Sequence, residues 1–168
     1  DYDAFVAKLE PDGDLAWHTF LGGGGTDTGY GIALDDDGNI YVAGLSNADW
    51  GETPGLVRAY SSSNDGFAAK LEGDGDLIWY TFLGGDGADS GSGIAVDNVG
   101  NLYVTGTSDA DWGLTGDDAP KRAFESNGDA FAAKLGTGGS LTWHTFLGGS
   151  GGDSGTGIAV DGSGNAFV

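Results

Sequence analysis

The chain has 168 residues, of which 35 are glycine, and its 26 acidic residues against 6 basic ones give a formal charge of −20. This charge repels phosphate and excludes nucleic acid as a favoured partner, and a chain rich in glycine and aspartate disfavours helices. Five tryptophans, six tyrosines and eight phenylalanines exclude a disordered chain, and the absence of cysteine excludes disulfides and thiol catalysis.

Four strands are predicted in the first stretch of the chain, each ending in turn-forming residues. They are residues 4–9, 15–21, 31–35 and 39–46, in chain order. The first two are joined by EPDGD and the last two by DDDGN, which are aspartate, glycine and asparagine turns between β-branched and aromatic residues. That pattern is typical of antiparallel hairpins.

The same four segments return twice along the chain. Trp79 lies 62 residues after Trp17, and Trp143 lies 64 residues after Trp79. The repeat units are approximately 3–64, 65–128 and 129–168, the last of them incomplete. Apolar residues occur on both faces of several strands, so both sheet faces are expected to be covered. Four short antiparallel strands per unit are the layout of a β-propeller blade.

Three strings carry a resemblance to a known family. GGSGGDSGTGIAVDGSGN, DAFAAKL and LTWHTFLGG resemble the bacterial SBBP β-propeller repeat, over nearly the whole chain. The predicted fold is all-β, with tandem four-stranded antiparallel blades, about three blades' worth of strands and a permuted blade boundary. The resemblance implies a secreted or cell-surface protein and no settled activity.

The permuted order leaves one unmatched hairpin at each end of the chain. Exposed strand edges are templates for pairing with another chain. Three arrangements follow: a fragment of a longer repeat protein, head-to-tail pairing between copies in a ring or filament, or closure within one chain. A homo-oligomer or filament is the sharpest of these expectations.

Aspartates in two kinds of loop are candidate Ca²⁺ ligands. The loops that read G-G-x-G-x-D open like calcium-binding nonapeptides, and the DDDGN turn resembles the start of a calcium loop without its terminal glutamate. The alternative is that each carboxylate caps backbone N–H groups in a tight turn. The candidates are Asp27, Asp89, Asp153, Asp35, Asp37, Asp97 and Asp161.

The variable loops, residues 47–64 and 109–128, each carry an extra tryptophan after an aspartate. These pairs are Asp49–Trp50 and Asp111–Trp112. An exposed indole beside a carboxylate suits stacking on a sugar, which makes glycans a candidate partner, or anchoring a neighbouring subunit. The indole can equally fold back over its own blade.

No enzyme signature is present. His18 and His144 occupy the position of Tyr80 in the middle unit, and no G-x-S-x-G elbow occurs. We therefore expect a non-catalytic extracellular structural or adhesive protein that assembles head to tail and is stabilised by calcium. The alternatives are a lectin-like binding module and a piece of a larger surface propeller.

Overall fold

The computed structural model describes residues 2–51, 53–113 and 119–168, and every regular element in those ranges is a β-strand. None of the described segments is a helix able to cross a bilayer. The strands are β1 (Ala4–Leu9), β2 (Leu15–Leu21), β3 (Asp27–Leu34), β4 (Ile40–Ser46), β5 (Asp65–Leu71), β6 (Leu77–Leu83), β7 (Asp89–Val96), β8 (Leu102–Ser108), β9 (Asp129–Leu135), β10 (Leu141–Leu147), β11 (Ala159–Val160) and β12 (Ala166–Phe167).

These strands form two complete blades and two half-blades. One blade has the order β3-β4-β5-β6 and the other the order β7-β8-β9-β10, and all neighbours in each are antiparallel. The pairs β1-β2 and β11-β12 remain two-stranded sheets. The predicted all-β blade architecture with a permuted boundary is therefore confirmed, and the sheets do not close into a ring.

The first strand of each blade begins earlier than the sequence pattern indicates. The predicted start at Gly31 is wrong by four residues, because β3 begins at Asp27, which pairs with Ser46 of β4. The pairing shifts register between Gly29 and Gly31, as at a β-bulge. Glycine-rich sequence before Ile32 resembles a loop, yet it pairs because β4 supplies a complete partner edge.

The two complete blades pack face to face through their first strands. A methyl group added to Gly31 would lie 3.0 Å from Cγ2 of Ile94 on β7. Absence of a side chain at this position lets the two sheets approach closely. The apolar core lies between neighbouring sheets: one buried cluster joins β1 and β2 to the first complete blade around Phe67, and the other joins the two complete blades around Trp79 and Phe131.

Candidate functional site: the half-blades and their uncovered surfaces

The aspartates of the G-G-x-G-x-D loops cap backbone donors in all three units. Oδ2 of Asp27 accepts the N–H of Gly23 at 3.3 Å, and Oδ2 of Asp89 accepts that of Gly85 at 3.0 Å. Asp153 makes the equivalent bond to Gly149 at 2.9 Å. A geometry repeated in this way satisfies the backbone donors of the turn.

A second aspartate lies beside each of these carboxylates in the folded chain. A methyl group added to Gly148 would lie 2.7 Å from Oδ1 of Asp129 and 2.6 Å from Oδ2 of Asp153, so the two carboxylates flank one glycine. In the preceding blade, burial raises the pKa of Asp89 to about 6, and the charge of Asp65 adds to that increase. Burial likewise raises the pKa of Asp65. These carboxylates therefore differ from a solvated turn aspartate, whose charged form is not penalised by burial.

The aspartates that open the DDDGN-type turns are surrounded by donors from the protein. Oδ1 of Asp35 accepts the N–H groups of Asp37 and Asn39 at 3.1 and 2.9 Å, and Oδ2 accepts the Asn39 side chain at 2.8 Å and the Tyr41 hydroxyl at 2.9 Å. Asp97 has the same set, and Asp161 has the same set without the hydroxyl. Burial by itself raises the pKa of Asp35 and of Asp97. The hydrogen bonds together outweigh burial, so the pKa of both carboxyls is lowered. Most lone pairs on these carboxylates are thus already used.

Some of the candidate cation ligands share one cleft between the two blades. Its volume is about 440 Å³, and its lining includes Asp35, Asp37, Asp97 and Lys70. Over the described ranges, no group of three or more acidic or histidine side chains has the spacing of a metal site. The structure therefore places three of the seven candidates around a common acidic space, without a formed cage of ligands.

Both loop tryptophans are buried in the core of their own blade. Trp50 and Trp112 are 3% and 2% exposed. Trp50 stacks on Tyr80 at 4.6 Å between ring centroids, and its Nε1–H donates to Oδ1 of Asp27 at 2.8 Å. Trp112 stacks on His144 at 3.9 Å. An exposed indole face, which sugar stacking needs, is absent at both positions.

The aspartates that precede these tryptophans have different surroundings. Asp49 is exposed, and its Oδ1 accepts the N–H of Gly51 at 3.2 Å. Asp111 is half-buried, and its Oδ1 is buried without a hydrogen bond in the described part of the chain. Neither carboxylate accompanies an accessible indole.

The variable loop also covers the outer edge of its blade, which the sequence pattern does not indicate. We call residues 55–58 the strap. The strap pairs in parallel with β6 at Leu56 and Tyr80, and Val57 N–H donates to the Tyr80 carbonyl at 2.9 Å. Arg58 donates to the carbonyls of Phe82 and Gly84 at 2.9 and 2.8 Å.

The second blade has an equivalent strap. The N–H of Lys121 donates to the carbonyl of His144 at 2.9 Å, and the Arg122 carbonyl accepts the N–H of Phe146 at 3.1 Å. The recurrence of R-A-aromatic at 58–60 and 122–124 is the sequence signal that could have revealed the strap.

A groove separates the amino-terminal half-blade from the first complete blade. Its walls include Val6 and Trp17 of the half-blade together with Ile32 and Leu34 of β3. Ile32 and Leu34 are 58% and 62% exposed, whereas their counterparts Ile94 and Val96 on β7 pack against a buried cluster. The free edge of β1 runs along this groove. In a complete blade, the first two strands, here called the a–b hairpin, occupy the equivalent position.

The lysine of each third strand packs on an aromatic ring of the second strand. Lys70 Nζ lies 5.3 Å from the centroid of Tyr41, and Lys134 Nζ lies 5.0 Å from that of Tyr103. This cation–π contact joins β4 to β5 and β8 to β9. Lys8, the equivalent residue of β1, lines the open groove.

The comparisons with known proteins agree with this architecture. The family model described as "Beta-propeller repeat" (SBBP) matches residues 16–49, 78–111 and 142–168, more than half of the chain. The protein belongs to this β-propeller repeat family.

Two relatives show how small a part of a longer protein such repeats can be. One is described as "Uncharacterized WD repeat-containing protein L264" of Acanthamoeba polyphaga mimivirus, 28% identical over 61% of this chain and 8% of the relative. The other is "Regulatory protein FlaEY" of Caulobacter vibrioides, 29% identical over 77% of this chain and 14% of the relative. The chain therefore spans less than one sixth of either protein.

Proposed function

We propose that this chain is a non-catalytic propeller scaffold that assembles head to tail, the β11-β12 hairpin of one copy completing the β1-β2 half-blade of the next. The observation that carries the proposal is that the two unmatched hairpins are the two complementary halves of one blade. Two copies contribute six blades' worth of strands, within the four to eight that close a propeller. Neighbouring repeats of a longer polypeptide would use the same pairing.

The register of this pairing follows from the complete blades. Ile40 pairs with Leu71 and Tyr41 with Lys70 across β4 and β5. The equivalent partners between copies are Ala166 with Leu9 and Phe167 with Lys8. Phe167 would then supply the aromatic ring that Lys8 lacks, as tyrosine does in the two complete blades.

The experiment is a cross-link in a chain that has no cysteine of its own. The double variant Lys8→Cys with Phe167→Cys places two thiols directly opposite each other, at the separation a disulfide needs. We expect covalent dimers or rings on mild oxidation, together with an oligomeric mass by light scattering at micromolar concentration. The control, Leu9→Cys with Phe167→Cys, directs the thiols to opposite faces of the sheet. A monomer that forms no intermolecular disulfide, or one that closes on itself, would overturn the proposal.

Calcium and an extracellular location belong to the same proposal. A charge of −20 on a small chain produces self-repulsion that bound cations relieve. The acidic cleft lined by Asp35, Asp37 and Asp97 is the space best suited to such an ion. We expect a higher melting temperature in millimolar Ca²⁺ than with chelator, and a smaller difference in Asp37→Asn. Identical melting curves for the unmodified chain would remove calcium from the proposal.

A further inference from the structure

The half-blade at the amino terminus carries an aromatic socket, a cluster of rings equivalent to those that surround the buried Trp50 and Trp112. We define the open socket as Phe5, His18 and Phe20. Phe5 and Phe20 are directly paired across β1 and β2, as Phe67 and Phe82 are across β5 and β6. The rings of His18 and Phe20 meet edge to face at 5.3 Å between centroids. The corresponding distance for His144 and Phe146, which contact Trp112, is 5.5 Å.

The open socket lacks the indole and the strap that cover the closed ones in the described part of the chain. Phe5 and Phe20 are 66% and 63% exposed, whereas Phe67 and Phe82 are fully buried beneath Trp50. The ring geometry is thus already set before any partner arrives. Preorganised aromatic surfaces lose little side-chain entropy on binding.

Charge complementarity points to the same partner. In the first complete blade, Arg58 of the strap donates to the carbonyls of Phe82 and Gly84, and its charge lowers the pKa of the buried Asp65 against the larger effect of burial. Asp3 is the counterpart of Asp65, and a methyl group added to Gly22 would lie 2.7 Å from Oδ1 of Asp3 and 2.5 Å from Oδ2 of Asp27. No strap arginine lies at this pair of carboxylates in the residues that the structure describes. The site therefore combines an apolar socket with an uncompensated acidic end.

We infer that the outer face and edge of β1-β2 form a docking site for one kind of segment: an Asp-Trp turn followed by an arginine-bearing extended strap, the chemistry of residues 49–60. The indole enters the socket, the strap pairs in parallel with β2, and the arginine neutralises Asp3 and Asp27. This rests on the proposed scaffold function but goes beyond it, because the β11-β12 hairpin would fill the groove at β1, whereas this segment would cover the outer face of β1-β2 and the edge of β2.

The test is an extension that supplies the segment in its natural phase. Residues 29–64 are placed directly before residue 3, because Asp3 is the counterpart of Asp65. We expect the added Trp50 to emit as a buried indole, and the amide of Phe20 to exchange at least about tenfold more slowly than in the unextended chain. In the first blade the equivalent amide, that of Phe82, donates to the Arg58 carbonyl at 3.1 Å.

The matched control is the same extension with Trp50→Ala in the added copy only. The first two strands of the added unit still pair with β1, so exchange at Ala7, whose amide points to the free edge, reports hairpin docking, while exchange at Phe20 reports strap docking. We expect the control to protect Ala7 and to leave Phe20 at its original rate. Equal rates at Phe20 in the two extended chains, or an indole that emits as exposed, would overturn the inference. Either result is independent of the cross-link between Lys8→Cys and Phe167→Cys, which tests the scaffold proposal alone.

Discussion

Replacing Asp89 by asparagine should stabilise this protein at neutral pH. Asp89 is 1% exposed, its Oδ2 accepts the Gly85 N–H, and a hydrogen bond with the Ser108 side chain opposes the effect of burial on its pKa. Burial, together with the charges of Asp65 and Asp109, raises its pKa from 3.8 to about 6. A change of about two pKa units corresponds to about 3 kcal/mol.

The sign of the pH dependence follows from proton linkage. Because the folded pKa is the higher one, the folded state holds the proton more tightly between pH 3.8 and about 6. The stability that this group contributes is fully present below the lower value, and it is lost as pH rises to about 6. The asparagine side chain of the Asp89→Asn variant keeps an oxygen for the Gly85 N–H and carries no charge. The variant should therefore match the unmodified chain near pH 4 and exceed its free energy of unfolding by up to about 3 kcal/mol above pH 7.

Urea denaturation at a series of pH values measures this difference. The matched control is Asp27→Asn, at the same position of the preceding unit. There Oδ1 accepts the Trp50 Nε1–H at 2.8 Å, so loss of the carboxylate should cost about 1 kcal/mol. Destabilisation by Asp89→Asn at pH 7.5, or a difference from the unmodified chain that does not change between pH 4 and pH 7, would refute the reasoning.

Three further predictions concern the core and the turns. Trp50→Ala should lower the free energy of unfolding by about 3–5 kcal/mol, because the indole fills the core against Tyr80; the half-buried Trp143→Ala is the control, and an equal loss in both would contradict the prediction. Tyr41→Phe should cost about 1 kcal/mol in urea denaturation, since the hydroxyl donates to Asp35 at 2.9 Å; an unchanged midpoint would show that this bond contributes nothing. Because the folded pKa of Asp35 lies below 3.8, its contribution is present above that value and is lost as pH falls further; urea denaturation should show Asp35→Asn to be less stable than the unmodified chain at pH 7, with a difference that shrinks at acid pH, and a difference that does not change with pH would argue against it.

The hairpins were predictable because their determinants are local. In the turn after β3, Asp35 accepts N–H groups two and four residues ahead, and Gly38 adopts a φ of 83° that other residues rarely take. Every contact that forms this turn lies within the string DDDGN and its flanking residues. A local pattern repeated three times therefore gave both the strand type and the blade layout.

The strap and the seats of the tryptophans were not predictable in the same way. Residues 55–58 have no alternating pattern, and their pairing with β6 joins segments about two dozen residues apart, as the Val57–Tyr80 bond shows. The seat of Trp50 is formed by Phe67 and Tyr80, which lie on two later strands. A surface tryptophan and a buried one look alike in a loop sequence, because burial depends on what the distant strands present.

The assembly proposed above would use the same kind of contact that stabilises the folded chain. Lys70 on Tyr41 joins two strands within a blade, and Lys8 lines the groove where an equivalent ring would sit. Arg58, which holds the carbonyls of its own blade, also lies 5.6 Å from the Trp112 ring of the next blade. The cation–π contact that joins β4 to β5 within a blade is therefore the same as the one that would join β12 of one chain to β1 of another. Replacing Lys70 should therefore weaken folding. Replacing Lys8, the equivalent residue of the half-blade, should instead weaken association between chains.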